Sequence, residues 1–128
     1  MTSPTRNHEK YLFDTFAIVE ILNGNPHYQP FLESGMVIND FVYAEVAYYF
    51  FQRFPWSKAL EFLQPLPAVC LRADPPIVNE AMRLRLQWKK RKVSTTDCIS
   101  YVMAKKVGIK FLTGDKQFEG EENVEFVR

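Results

Sequence analysis

The chain has 128 residues, of which 47% are hydrophobic and 15% aromatic. This is enough apolar sequence for one ordinary folded domain and argues against a disordered chain. The formal net charge of +1 does not point to a nucleic-acid binder, and two cysteines are too few for a disulfide framework. Residues 1–10 lack the apolar core of a signal peptide, and no run approaches the ~20 apolar residues of a membrane span. We therefore expect a soluble, cytoplasmic protein.

Short apolar runs alternate with longer segments of helical periodicity along the chain. Residues 1–9 are predicted to be a flexible lead-in and residues 10–128 a single domain. The predicted elements, in chain order, are strand Tyr11–Asp14, helix Thr15–Leu22, short helix Pro26–Glu33, strand Met36–Ile38, helix Phe41–Arg53, helix Pro55–Leu63, strand Ala68–Leu71, helix Pro75–Trp88, helix Ser94–Val107, strand Ile109–Thr113, turn Asp115–Gly120 and strand Val124–Val127. This order predicts an α/β fold, a three-layer α/β/α sandwich around a mostly parallel sheet of four to five strands.

Four acidic residues stand in apolar sequence at the ends of predicted strands or within helices: Asp14, Glu45, Asp97 and Asp115. Carboxylates are rarely buried unless they are paired or bind a metal. Because the carboxyl ends of parallel strands form one crevice, we expect the four side chains to converge there. Such a set predicts a Mg²⁺ or Mn²⁺ site, since hard cations take oxygen ligands. A site of this kind suits hydrolysis of a nucleic-acid backbone.

Local structure offers a different explanation for three of these acids. Asp97 can belong to a capping box that begins at Ser94, Asp115 can be a turn residue, and Asp14 can cap a helix. Glu45 has no such explanation, because it lies between Ala44 and Val46 in a helix that offers little polar surface. The four together, in this order, favour the shared site.

Basic residues are concentrated before and after Asp97. Between Arg83 and Lys110 there are nine Lys and Arg residues and one acid. The dense part of this segment can be a solvated helix end or a patch that contacts phosphates. The candidate RNA contacts are Lys89, Lys90, Arg91 and Lys92.

The order and context of the acids resemble those of the PIN domain family. The matching pieces are Phe13-Asp14-Thr15 after a short strand, Glu45 within a helix, and the block Ser94–Phe118. In this block an acid opens a helix, an alanine and a glycine follow, and an apolar strand leads into Thr-x-Asp-x-x-Phe. The resemblance covers nearly the whole chain, from Tyr11 to Val127.

The resemblance implies a Mg²⁺- or Mn²⁺-dependent ribonuclease similar to the toxin of VapBC toxin–antitoxin pairs. It implies that Asp14, Glu45, Asp97 and Asp115 form the catalytic and metal-binding quartet, supported by Thr113. It also implies an RNA substrate, a cognate antitoxin and a homodimer. One departure is Gln117, where many relatives carry a further acid, which leaves open whether one or two metals bind. Neither Glu20 nor Glu119 is expected to be a ligand.

Several alternatives remain at this point. A haloacid dehalogenase-type phosphatase needs an Asp two residues after the first, where Phe16 stands, and a receiver domain pairs adjacent acids, whereas Phe13 precedes Asp14. A PIN nuclease that processes RNA without being a toxin, and a catalytically silent PIN-like binding module, stay open. The aromatic run Tyr48–Phe51, with Phe54 and Trp56, is either core or an interface.

Overall fold

The computed structural model describes residues 9–128, so the predicted lead-in lies outside the described residues except for Glu9. Within that range the strands are β1 (Lys10–Phe13), β2 (Gly35–Asn39), β3 (Cys70–Leu71), β4 (Lys110–Thr113) and β5 (Val124–Phe126). The α-helices are α1 (Thr15–Leu22), α2 (Asp40–Arg53), α3 (Trp56–Leu63), α4 (Pro75–Gln87) and α5 (Thr95–Val107). Short 3₁₀ segments lie at Pro26–Phe31, Leu66–Val69 and Lys116–Phe118.

The strands form one sheet in the order β3-β2-β1-β4-β5, and every neighbouring pair is parallel. The predicted parallel α/β sheet is therefore confirmed. β1 and β4 are adjacent at the centre, with Leu12 beside Phe111 and Phe13 beside Leu112. Their carboxyl ends, and the residues that follow them, consequently open at the same edge of the sheet.

Two hydrophobic cores lie on opposite faces of the sheet, because successive strand side chains point to opposite sides. Phe13 and Leu112 belong to the core that α1, α2 and α3 cover. Leu12 and Phe111 belong to the core that α4 and α5 cover. The arrangement is the predicted three-layer sandwich.

Two local predictions were only partly right. The predicted strand at residues 68–71 is reduced to Cys70–Leu71, because a 3₁₀ turn occupies Leu66–Val69. The segment predicted as a short helix from Pro26 is a 3₁₀ helix with Pro30 inside it, a residue that supplies no N–H to a helical hydrogen bond. Neither difference alters the topology.

None of the helices between residues 9 and 128 combines the length and the apolar character needed to cross a membrane.

Candidate metal centre

Asp14 is the most deeply placed of the four predicted acids. It follows β1 directly, is 3% exposed, and donates its N–H to the carbonyl of Leu112 at 3.0 Å. It occupies the N-cap position of α1, but its side chain makes no capping hydrogen bond. The carboxylate instead accepts the Thr113 hydroxyl proton on Oδ2 at 2.7 Å. The alternative role of Asp14 as a side-chain helix cap is therefore wrong.

Thr113 joins the ends of the two central strands. Its buried hydroxyl donates to Asp14 and accepts the N–H of Asp115 at 3.1 Å. The Asp115 Oδ1 atom in turn accepts the N–H of Gln117 at 3.0 Å and begins the short 3₁₀ turn. The predicted turn role of Asp115 is therefore real, and the same contacts orient its carboxylate.

Asp97 forms the predicted capping box at the start of α5. The Ser94 Oγ atom accepts the N–H of Asp97, and Asp97 Oδ2 accepts the N–H of Ser94, both at 3.0 Å. These two bonds satisfy helix-terminal donors and hold the carboxylate in one orientation. Capping engages one oxygen only, so it does not exclude a second role.

Glu45 differs from the sequence-based expectation. It was expected on a largely buried part of the helix, but its side chain is exposed, as is that of the preceding Ala44. α2 buries Val42, Val46 and Phe50, and Glu45 falls on a different side of this helix. The Thr15 hydroxyl donates to Glu45 Oε1 at 2.6 Å. Thr15 thus supports Glu45 in a way that no local sequence signal predicts.

Electrostatics show that the four carboxylates share one region. Burial is the main cause that raises the pKa of Asp14 to about 7; the negative charges of Asp97, Glu45 and Asp115 act in the same direction, and the hydrogen bond from Thr113 opposes them. Burial also raises the pKa of Asp97, with smaller upward contributions from Asp115 and Glu45.

The donor chemistry of this cluster fits a hard divalent cation. Each of the four carboxylates uses one oxygen for a hydrogen bond to a nearby hydroxyl or amide and has no hydrogen bond from the described residues on the other oxygen. Hydrogen bonds of this kind orient ligands around metals. As they stand, however, no three Asp, Glu, His or Cys side chains between residues 9 and 128 form a group that could hold an ion.

The carboxylates influence one another's pKa without forming a group that could hold an ion, because the two effects act over different distances. Repulsion between carboxylates acts over many ångströms, whereas Mg²⁺ ligands lie about 2.1 Å from the ion. Binding a cation would therefore require the side chains to move closer together, which the attraction of a divalent charge would favour.

The four predicted RNA-contacting residues divide into two groups. Arg91 is used internally, with its guanidinium 2.7 Å from Glu121 and stacked over the Trp88 ring. Lys89, Lys90 and Lys92 are exposed and form no ion pair with any residue in the range 9–128. Gln117, at the departure from the family pattern, accepts the Lys92 N–H on Oε1 at 3.2 Å and so ties the basic turn to the loop of Asp115.

Glu20 and Glu119, which the sequence analysis did not expect to be ligands, are not among the charges that act on Asp14. Glu20 instead accepts a hydrogen bond from Asn25 at 2.7 Å.

The chain matches the PIN domain family over residues 11–120. No curated protein matches it. Among solved structures it is similar to the VapC20 toxin of Mycobacterium tuberculosis, named for cleaving the sarcin-ricin loop, with a TM-score of 0.75 and 16% identity over 92% of this chain and 99% of the other.

Two further structures have the same fold. A toxin–antitoxin complex from Klebsiella pneumoniae gives a TM-score of 0.73 and 19% identity over 90% of this chain and 95% of the other. The DNA-bound VapBC of Salmonella typhimurium gives a TM-score of 0.68 and 21% identity over 92% of this chain and 96% of the other.

Proposed function

The chain belongs to the PIN domain family, and we propose that it is a Mg²⁺- or Mn²⁺-dependent endoribonuclease that serves as the toxin of a VapBC-type toxin–antitoxin pair. The observation that carries the proposal is the mutual electrostatic influence of four carboxylates near the carboxyl ends of β1 and β4, of which Asp14 is buried. The nuclease activity of the family and the toxin relatives of the same fold support it.

The four acids have different roles in the proposed site, according to their environments. Asp14, Asp97 and Asp115 would hold the cation, and Glu45 either completes this set or orients the attacking water. When bound, the cation supplies positive charge that stabilises the phosphodiester during attack and makes water a better nucleophile. Glu45 suits the second role because Thr15 holds its Oε1 atom, while Oε2 of this exposed side chain accepts no hydrogen bond from the described residues.

The proposed reaction is hydrolysis of an RNA phosphodiester. The oxygen of water bonds to phosphorus as the bond from phosphorus to the 3′ oxygen breaks. The water proton passes to a nearby carboxylate oxygen such as Glu45 Oε2, and the 3′ oxygen takes up a proton from solvent to leave as a hydroxyl. Thr113 keeps the Asp14 carboxylate oriented through its hydroxyl. Exposed lysines of the turn after α4 would hold phosphates without reading bases.

The direct test is cleavage of a labelled structured RNA by the purified protein with Mg²⁺ or Mn²⁺, beside an EDTA control. Asp14→Asn should reduce the rate at least ~100-fold, because catalytic groups of one site act as a unit. Glu119→Gln, which removes an exposed acid outside the cluster, is the matched control and should cleave normally. Wild-type turnover by Asp14→Asn would sink the assignment.

The toxin role adds two protein partners to the proposal, a cognate antitoxin and a second copy of the chain. Part of the aromatic run proves exposed, notably Tyr48 at 67% and Trp56 at 68%, and Trp56 stacks on Phe51 with ring centroids 4.8 Å apart. Phe50 is buried, so the run is both core and surface. The exposed aromatic side chains suit a protein interface.

The toxin role is separable from the nuclease role by experiment. Expression of the wild-type chain should arrest growth, and co-expression of a small protein encoded beside it should restore growth and co-purify with the chain. Cleavage without growth arrest or a neighbouring partner would favour a PIN nuclease of RNA processing. Tight RNA binding without cleavage under any metal would favour a binding module.

A further inference from the structure

An open pocket of about 380 Å³ lies at the junction between the end of α4 and the residues that precede α5, the helix that carries Asp97. Its lining combines basic and apolar side chains: Met82, Arg85, Leu86, Lys89, Arg91 and Val93. We propose that this pocket binds one unpaired nucleotide of a single-stranded RNA segment adjacent to the cleaved bond. The inference rests on the proposed nuclease function and adds the substrate class and a subsite.

Arg85, on the rim of the pocket, is oriented by hydrogen bonds in a way that suits phosphate binding. Arg85 donates from Nε to the carbonyl of Val93 at 3.3 Å and from Nη1 to the Thr95 hydroxyl at 3.0 Å. These bonds fix the plane of an exposed guanidinium and leave the remaining Nη1–H and both Nη2–H groups without a partner among the described residues. A planar guanidinium held in this way matches two phosphate oxygens with little further loss of side-chain freedom.

A second cation lies on the turn that follows α4. Lys89 is exposed and forms no ion pair with the described residues, while Arg91 is neutralised by Glu121. Arg85, near the end of α4, and Lys89, on the turn that follows it, both line the pocket, so the two charges lie at one rim. The two free cations make the rim complementary to the RNA backbone.

The floor of the pocket is apolar. Met82 and Val93 line it, and Leu86 is 72% exposed, the largest exposed fraction among the big hydrophobic side chains of residues 9–128. An aliphatic surface bordered by cations suits a nucleotide, whose base is flat and largely apolar on its faces and whose phosphate is anionic. It suits base-paired RNA less well, since a helix keeps its base faces stacked inside.

Hydrogen bonds connect the pocket to both segments that carry central acids. Arg85 contacts Thr95, two residues before Asp97. The turn that carries Lys89 is held at Lys92 by Gln117, and Gln117 is bonded to Asp115. These bonds hold the pocket lining in a fixed position relative to the segments of Asp97 and Asp115, as a subsite next to the proposed cleavage site requires.

The test measures binding of a fluorescein-labelled single-stranded oligoribonucleotide of about eight residues to the full-length Asp14→Asn protein with Mg²⁺. A second oligonucleotide of equal length lacks bases but keeps the sugar–phosphate backbone. Arg85→Gln should weaken binding of both about tenfold and lower the slope of log K against log salt by about one. Leu86→Ser should weaken binding of the base-bearing strand about fivefold and leave the abasic strand unchanged.

Two substitutions control for charge and apolar area. Lys110→Gln removes an exposed cation at the amino end of β4, and Leu32→Ser removes an exposed leucine that precedes the amino end of β2. Both lie at the opposite edge of the sheet from the acids and should bind like the Asp14→Asn parent.

The remaining outcomes overturn either the pocket proposal alone or the proposed function together with it. If Arg85→Gln and Leu86→Ser bind as the parent does while wild-type protein still cleaves RNA in an Asp14-dependent way, the pocket proposal alone is overturned. Equal weakening of both strands by Leu86→Ser also overturns it, because no base then packs on the floor. A change of molecular mass by light scattering in Leu86→Ser would overturn it too and identify the pocket as a self-association surface. Absence of both binding and cleavage would overturn the proposed function and the pocket with it.

Discussion

Asp14 carries the largest electrostatic cost among the described acids, because a buried carboxylate is placed among three others. Its pKa of about 7 means that the folded protein holds a proton there which the unfolded chain loses near pH 4. The folded state thus binds more protons than the unfolded state between these two values, so stability falls as pH rises across that range. Above pH 7 Asp14 is ionised in both the folded and the unfolded state, so its contribution to stability no longer changes with pH.

Replacement of Asp14 by asparagine should remove this pH dependence. The amide keeps an oxygen for the Thr113 hydroxyl and carries no charge. At pH 8 without metal we expect the Asp14→Asn protein to be more stable than wild type by up to about 4 kcal/mol, the equivalent of the pKa shift, and near equality at pH 4. Urea unfolding in EDTA at the two pH values measures the difference. Equal free energies of unfolding for the two proteins at both pH values would contradict the predicted destabilisation by the Asp14 charge.

Thr113 acts on the site through both of its hydrogen bonds. Thr113→Val keeps the shape but leaves the Asp115 N–H without an acceptor and removes the bond that lowers the pKa of Asp14. We expect a stability loss of about 1–3 kcal/mol and a ~10–100-fold loss of cleavage. Thr113→Ser restores the hydroxyl and should recover most of the cleavage rate. A valine variant with full activity and a serine variant without it would both count against this role.

At the scale of elements, the loop after β4 is set by close packing around Gly114. A Cβ atom at this position would collide with the Phe16 ring and the carbonyl of Val127 and would crowd the Tyr28 hydroxyl. Arg128 donates from Nε to the Gly114 carbonyl at 2.9 Å, a bond that a shift of this backbone would strain. Asp115 therefore owes its position to the absence of a side chain on the residue before it.

Gly114→Ala should consequently destabilise the fold by about 3 kcal/mol or more, because the collision involves a main-chain atom as well as a ring. Gly24→Ala is the matched control. Gly24 has open space around it and a φ of 78°, so only the backbone strain of about 1 kcal/mol is expected. Thermal unfolding of the two variants beside wild type measures the contrast. Equal losses would show that Gly114 is not sterically required.

At the scale of the whole molecule, metal binding and folding should be linked through the acid cluster. A cation that binds the folded state alone raises stability with its concentration. Because Asp14 must lose its proton to become a ligand, Mg²⁺ should raise Tm more at pH 8 than at pH 6. At millimolar Mg²⁺ we expect an increase of several degrees at pH 8, and none in Asp14→Asn. Differential scanning calorimetry at the two pH values checks this, with KCl at matched ionic strength as the control.

The same linkage separates a specific site from general screening of negative charge. Glu119→Gln lies outside the acid cluster and should retain the full Mg²⁺ response. A shift of equal size in wild type and Asp14→Asn would assign the effect to screening rather than to the cluster.

Local sequence patterns alone predicted the secondary structure and the fold class of this protein. Apolar period, caps and breakers placed every strand and helix to within a few residues, and the capping box of Ser94 and Asp97 was predicted directly, since such signals lie within a few residues of the element they specify. The alternation of strands and helices likewise determined the parallel three-layer fold.

The tertiary structure decided what depends on residues distant in the chain. It showed that Asp14 turns to Thr113 rather than to its own helix, that Glu45 is exposed and bonded to Thr15, and that Arg91 is neutralised by Glu121. Arg85 belongs to the basic segment between Arg83 and Lys110 that the sequence shows, but its fixed guanidinium depends on the fold. These outcomes follow from burial, pairing and charge across the sheet, and a linear pattern does not contain those distances.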